Sequence, residues 1–338
     1  MRRRFTMNKS FTETFDFNNY LTIEALEDNL TITFSNNIEY GIDGKGWLKL
    51  KAFSESQSIS AGQTLSFRGE FTPDISNGIG IFTINKKCNL KGNCMSMLFG
   101  DNATNNYSLS GKNWTFYKLF YNCSNIVNVD SNFLPATTLA SGCYRYMFYG
   151  CTSLTTAPTL PATKLYDNCY EHMFYGCTSL TTAPTLPATT LAYSCYNSMF
   201  YGCTSLTTAP TLPATTLANY CYGNMFQNCT SLTTAPALPA TTLADSCYRY
   251  MFSGCTRLTT APELPATKLY DSCYEHMFDG CTKLNYIKML ATNISAYDCL
   301  YNWVRGVSST GAFVKNAAMT SLPRGTSGIP SGWRVQNA

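Results

Sequence analysis

Charge is scarce in this chain. Asp, Glu, Lys and Arg make up 13% of its 338 residues, about half the ~25% usual in soluble domains. The net charge is +4, and Arg2, Arg3 and Arg4 supply much of it. So few cations, spread over this length, make no phosphate-tracking stripe, so no nucleic-acid partner is expected. Histidine is scarcer still, with only His172 and His276. No CxxC occurs, and zinc coordination is therefore not expected. There is no GxSxG, phosphate loop or HExxH, so neither a catalytic site nor a cofactor is expected. No apolar run approaches the ~18 residues of a membrane span. The N-terminal MRRRFTMNKSFTETFDFNN lacks the apolar stretch of roughly 7–15 residues that marks a secretory signal. The sequence thus leaves the compartment open between a protein that stays in the cytosol, one that is virion-associated or exported by another route to a place such as the cell surface, and one whose leader was trimmed.

What is present is a repeat. Met-Phe pairs recur every 26 residues at Met147-Phe148, Met173-Phe174, Met199-Phe200, Met225-Phe226, Met251-Phe252 and Met277-Phe278. Six good copies begin at Leu134, Leu160, Leu186, Leu212, Leu238 and Leu264. Each runs LPATTLA, two variable residues, CY, two variable residues, MF and then CTSLTTAP. Worn copies flank them at Cys94 with Leu98-Phe99, at Leu119-Phe120 with Cys123, and at Cys299 with Trp303-Val304. Atypical ends suit a stack whose outer layers meet water.

The unit has two halves. Placed on a helix, Cys143, Tyr144, Met147, Phe148 and Cys151 fall within one arc of about 140° at 100° per residue. Arg145, Tyr146 and Tyr149 fall opposite, and Gly150 stands where a short helix would end. This predicts a helix over Cys143–Cys151. The other half is rich in Thr and broken by Pro158 and Pro161, which donate no backbone hydrogen bond. It predicts two short strands, Leu154–Ala157 and Ala162–Leu165, paired in parallel with neighbouring copies about 4.8 Å away.

Sixteen cysteines could form a disulfide framework. On a helix, however, Cys143 and Cys151 stand about 12 Å apart, beyond the ~7 Å reach of a bridge. A ladder of buried thiols is expected, with bridges between neighbouring repeats as the alternative. His172 and His276 occupy the same repeat position four copies apart, within stretches that nearly duplicate one another. Both are expected to be exposed and too far apart to share a catalytic centre. The tyrosines at Tyr144, Tyr170, Tyr196, Tyr222, Tyr248 and Tyr274 are expected in the core. Tyr146, Tyr149, Tyr166, Tyr175, Tyr193, Tyr201, Tyr220, Tyr250 and Tyr270 are expected at the surface, either as covering or as contacts that stack on sugars or anchor a protein. The Thr ladder at Thr155, Thr156, Thr181, Thr182, Thr207, Thr208, Thr233 and Thr234 reads as strand chemistry.

The spacing of Phe148, Cys151 and Leu154, repeated through residues 94–303, resembles the BspA-like leucine-rich repeat, lengthened here by the LPATT segment. The resemblance implies an α/β repeat solenoid with a right-handed superhelical course. It also implies a role in attachment to host cells, matrix or glycans, an origin among gut Bacteroidota or their phages, and no catalytic residues. Asn89–Asp101 and Gly306–Val335 resemble that family's capping segments. Before the repeats, Tyr20–Leu26, Leu30–Phe34 and Thr64–Arg68 alternate as strands, and Asp43-Gly44 and Ser76-Asn77-Gly78 signal turns. The expected organisation is an arm over 1–18, a β-sandwich-like all-β module over 19–86, irregular repeats over 87–133, six repeats over 134–287, and a degenerate copy with a cap over 288–338.

Two functions follow as expectations. The first is a non-catalytic adhesion or receptor-binding protein presenting a Tyr/Thr/Asn-rich surface to a protein or glycan on a cell surface. Its candidate contacts are Arg145, Tyr146, Tyr149, Glu171, His172, Tyr175, Asn197, Tyr201, Asn224, Arg249, Tyr250, Glu275 and His276. The second is a structural component of a phage tail or fibre.

Overall fold

The computed structural model describes residues 19–35, 38–49, 54–69, 71 and 81–338. The expected arm over 1–18 and the Ser76–Gly78 turn signal lie outside these residues.

Among the described residues the first nine strands are β1 (Leu21–Ala25), β2 (Leu30–Ser35), β3 (Ile38–Ile42), β4 (Leu48–Lys49), β5 (Ser54–Ile59), β6 (Thr64–Gly69), β7 (Phe82–Ile84), β8 (Cys88–Lys91) and β9 (Ile126–Val129). One sheet has the order β4-β3-β6-β1-β8-β9 and the other β5-β2-β7. Successive strand residues point to opposite faces, so Leu21, Ile23 and Ala25 of β1 and Leu30, Ile32 and Phe34 of β2 are buried. Phe67 of β6 meets Phe34 and Phe82 edge-on, with ring centres 4.9 Å apart in both pairs, the geometry that ring quadrupoles favour. Pairing is antiparallel until β8 meets β9 in parallel. There the sheet takes its sixth strand from the repeat region, and one hydrophobic core runs on from Leu21 to Trp333.

The expected helix over Cys143–Cys151 is not formed. Among the described residues the only α-helix is α1 (Ser96–Phe99), so the helical part of the α/β expectation is corrected. In its place stands a ladder of turns. The N–H groups of Gly142, Tyr144, Tyr146, Phe148 and Gly150 donate to the carbonyls of Asp167, Cys169, Glu171, Met173 and Tyr175 in the next repeat, at 2.8–3.0 Å. The N–H groups between them turn back three residues within their own repeat: Arg145 to Gly142, Met147 to Tyr144, Tyr149 to Tyr146 and Cys151 to Phe148, all at 3.2 Å. Alternate donors thus serve the neighbour and the local turn, and the backbone of a buried segment is satisfied without a helix. The pattern continues from copy to copy, as in Phe174 to Met199 and Phe200 to Met225, both 3.0 Å.

Side chains along this ladder point two in and two out. Cys143, Tyr144, Met147, Phe148 and Cys151 are buried, while Arg145, Tyr146, Tyr149 and Gly150 face outward. The second residue of each outward pair has positive φ, for example 58° at Tyr146 and 70° at Gly150, as the third position of a type II turn demands. The column beginning at Gly150 holds Gly176, Gly202, Asn228, Gly254, Gly280 and Gly306, the two residue types that enter the left-handed region most readily.

The buried columns are continuous. Phe82, Phe120, Phe148, Phe174, Phe200, Phe226, Phe252 and Phe278 stack at 5.1–5.8 Å. Tyr144 to Tyr274 stack beside them at 5.7–6.0 Å. Trp303 closes both columns, 6.4 Å from Tyr274 and 6.2 Å from Phe278, and its indole N–H donates to the Gly328 carbonyl at 2.8 Å.

The expected strands Leu154–Ala157 and Ala162–Leu165 are also corrected. They shrink to single parallel bridges, Asn128–Thr156–Thr182–Thr208–Thr234 on one line and Lys164–Thr190 and Thr216–Thr242 on another. The prolines at 158 and 161 remove the donors that would extend them. Leu154, Leu160, Ala162 and Leu165 are nevertheless buried. Extended parallel pairing appears at the end of the chain, where β10 (Tyr286–Met289), β11 (Ala312–Lys315) and β12 (Arg334–Asn337) form a three-stranded sheet.

Candidate functional site: the outward face of the turn ladder

The ladder's outward positions gather the residues that differ between copies. Arg145 pairs with Glu171 of the next repeat at 2.7 Å, and its guanidinium lies over the rings of Tyr146, at 5.0 Å, and Trp114, at 5.5 Å. The Tyr146 ring stacks on His172 at 4.6 Å, within 15° of parallel. Four repeats on, the arrangement recurs. Arg249 donates to both oxygens of Glu275, at 2.9 and 2.8 Å, and Tyr250 stacks on His276 at 4.5 Å. Burial alone would raise the Glu275 carboxyl, but the Arg249 and Ser272 hydrogen bonds outweigh it and hold it below its ordinary range.

These pairings change how much of the face is free. His276 is 7% exposed, Glu171 and Glu275 are each 8% exposed, and Asn197 is 9% exposed. The expectation of exposed histidines is therefore corrected: each ring is clamped under a tyrosine, because a flat ring one layer away is its natural neighbour in a stack of equal repeats.

Among the places where the two duplicated blocks and their flanks have diverged is one outward column. In the first, Tyr121, Tyr149, Tyr175 and Tyr201 stack at 4.8, 4.6 and 4.3 Å. In the second, the places of Tyr175 and Tyr201 are taken by Asp279 and Arg305, joined at 2.9 Å, and His276 adds a 3.0 Å contact to Asp279. Tyr149 and Tyr175 each lie between two neighbouring rings, so the faces of these two are not open to a sugar, while Tyr166, Tyr193, Tyr220 and Tyr270 stand outside this column. Burial, with Tyr201 and Tyr149 as neighbours, pushes the Tyr175 phenol up to about 12.

Tyr117, Lys118, Tyr121, Tyr146, Tyr149, His172 and Tyr175 line a shallow, open depression of about 330 Å³. Lys118 Nζ stands over the rings of Tyr121, Tyr117 and Tyr146 at 4.8, 5.2 and 5.8 Å. Tyr117, Lys118 and Tyr121 escaped the sequence reading because they sit in a worn copy. The signal was there: Tyr121 follows Phe120 as Tyr149 follows Phe148. Asn224 lies half-buried further along the face.

All sixteen cysteines are free and buried. The Cys151 column does more than fill space. Cys177, Cys203, Cys229, Cys255 and Cys281 donate S–H to the carbonyl of Phe148, Phe174, Phe200, Phe226 and Phe252 at 3.0–3.2 Å. Burial pushes Cys143 and Cys203 up to about 12, so these thiols stay protonated and are poor nucleophiles. Among the described residues no group of three or more His, Cys, Asp or Glu could hold a metal ion, and no helix is long and apolar enough to cross a membrane.

Comparison with known families returns one match, the BspA type leucine rich repeat region, in six copies over residues 117–233 and 196–302. No curated protein and no solved structure matches the chain. The matched residues span more than half of the sequence and coincide with the turn ladder and its buried Phe, Tyr and Cys columns. The chain therefore belongs to the BspA-type leucine-rich repeat family.

Proposed function

We propose that this chain is a non-catalytic recognition protein whose repeats stack as a solenoid and hold the face from Arg145 to His276 toward a protein or glycan on a cell surface. Leucine-rich repeats serve protein interaction in general, and repeats of this family are typically non-catalytic. One observation carries the reading. Copies that agree almost residue for residue inside differ at the outward pairs Arg145/Tyr146, Glu171/His172, Asn197/Ser198 and Gly223/Asn224, and ion pairs and ring stacks hold several of these side chains in fixed positions. Rigid aromatic and polar groups in preset geometry lower the entropy cost of binding.

Binding of the full chain to bacterial and host cells tests the proposal, with Tyr146→Ala and Tyr250→Ala as probes. Saturable binding that both substitutions weaken by about tenfold, some 1.4 kcal/mol, is expected. Failure to bind any surface contradicts it.

A further inference from the structure

A second surface lies beside the turn ladder, where the LPAT segments lead into the turns. There the duplicated blocks carry two copies of one cluster. In the first, Lys164 Nζ stands over the Tyr166 ring at 5.5 Å, and Asp167 accepts the backbone N–H of Tyr193, one repeat on, at 3.1 Å. In the second, Lys268 Nζ stands over the Tyr270 ring at 5.0 Å, and Asp271 accepts the N–H of Tyr297 at 2.9 Å. The lysines and these two aspartates are exposed. Each cluster thus holds by its backbone a tyrosine that stands in solvent: Tyr193 is 49% exposed and Tyr297 74%.

These two rings have faces to offer. Among the described residues Tyr193 meets one ring, Tyr220, in a T-shaped contact at 5.7 Å that covers at most one face, and Tyr297 meets none. Asp298 adds a further acceptor beside Tyr297. A lysine donates hydrogen bonds and a carboxylate accepts them, and neither cluster has an excess of cations to draw an acidic polymer. A neutral ligand that both donates and accepts suits such a site. Sugar hydroxyls do both, and a pyranose ring adds a flat C–H face that packs on the negative face of an aromatic ring.

The ground between the clusters points to a long ligand. At the places of Lys164 and Tyr166, the three intervening repeats carry Thr190, Thr216 and Thr242 with Ala192, Ala218 and Ala244. The clusters therefore rise above a low floor of exposed hydroxyls, in register through the parallel bridges Lys164–Thr190 and Thr216–Thr242. The floor is an open track for a linear polymer, and it lacks the enclosed pockets that seat the anchors of a protein interface. Four repeats separate the clusters, on the order of 20 Å at strand spacing.

We infer that the clusters at Tyr193 and Tyr297 are twin sites for a neutral linear polysaccharide, engaged together by one chain lying along the stack. This rests on reading the chain as a recognition protein, and it places the ligand beside the Arg145–His276 face.

The test titrates the full chain with xylan, mannan, laminarin and amylose, and with xylobiose, mannobiose, laminaribiose and maltose. Tyr193→Ala, Tyr297→Ala, the double variant and Tyr193→Phe, which keeps the ring, are compared, and thermal melts report folding. At least one polymer is expected to bind. The matching disaccharide, too short to span the sites, should bind twice per wild-type chain, once in each single Ala variant and not in the double. Engaging both sites at once multiplies affinity, so each single Ala variant is expected to lose about a hundredfold against the polymer, with Tyr193→Phe near wild type. One disaccharide per wild-type chain, a folded single Ala variant with unchanged polymer affinity, or no binding of any of these sugars overturns the twin sites. Cell binding without any sugar binding overturns them and leaves the recognition face standing; sugar binding without cell binding does the reverse.

Discussion

The carboxamide of Asn228 lies over the Cα of Gly254, so close that a Cβ at Gly254 would meet Asn228 Oδ1 at 2.2 Å. Both residues have positive φ, 60° and 75°, in the same column of the turn ladder. At Gly280, one layer on, a Cβ would find its nearest atom, Gly254 N, at 3.7 Å. Gly280→Ala therefore adds mainly left-handed strain, about 1–2 kcal/mol. Gly254→Ala adds a clash as well and is expected to cost about 1–3 kcal/mol more. Asn228→Gly should recover most of that difference. A double-mutant cycle by denaturant unfolding checks this, and equal costs at the two glycines would show the column to be looser than described.

Alkaline pH should unfold the chain cooperatively. Burial pushes Cys123, Cys143, Cys195, Cys203, Cys247 and Cys255 up to about 12, against about 8.5 in an unfolded chain. A raised folded value means that the native state keeps protons the unfolded state has released. Stability is therefore full below about pH 8.5 and falls as pH climbs toward 12. Each thiol removes roughly 1.4 kcal/mol per pH unit in that window, so these six remove on the order of 8 kcal/mol per unit, comparable with a typical total of ~5–15 kcal/mol. Circular dichroism against pH should show a midpoint near about pH 10, and a native signal persisting past pH 11 would contradict it. Below pH 8 a thiol reagent should find no reactive cysteine in the native chain and sixteen after denaturation.

The repeat and its inward set were legible because Cys, Tyr, Met, Phe and Leu recur at a fixed spacing. The conformation was not. Two-in, two-out alternation has a period of four, and over the nine residues Cys143–Cys151 it selects the same inward side chains as a helical period of 3.6. Evidence for the difference lay at Tyr146, His172, Tyr250 and His276, large residues at positive φ of 52–58°, which no propensity scale would place there. The site was half legible for a related reason. Outward variability pointed to Arg145, Tyr146 and Tyr149, but which side chains pair across layers depends on stacking, and the worn copy hid Lys118.

The diverged blocks give a third prediction. Glu275 is held below its ordinary range against burial by Arg249 and Ser272. Arg249→Ala leaves that carboxylate without its bidentate partner, and a loss of about 1–2 kcal/mol is expected after allowing for partial solvent screening. Because the paired carboxylate stabilises above its unfolded pKa, wild-type stability from this pair falls as pH drops through the folded value, and Arg249→Ala should flatten that part of the curve. Thermal melts between pH 3 and 7 check it, and parallel curves for the two proteins would contradict the pairing.

The end of the stack should behave differently from its middle. Phe200 lies between Phe174 and Phe226 at 5.7 and 5.8 Å, so Phe200→Ala is expected to cost about 3–5 kcal/mol. Trp303→Ala removes the ring that covers both aromatic columns and the bond to Gly328, and should loosen the last repeats first. Native-state hydrogen exchange distinguishes the cases: faster exchange after Trp303→Ala confined to residues beyond about 270, against a global change for Phe200→Ala. Uniform effects from both would argue against layer-by-layer stability.

Hydrogen-bond scalar couplings in deuterated protein test the turn ladder most directly, because they show which carbonyl each amide meets. The account predicts that the amide of Phe174 couples to the carbonyl of Met199 and that of Tyr175 to the carbonyl of His172. Coupling of Phe174 to the Tyr170 carbonyl, four residues back as in an α-helix, would contradict it.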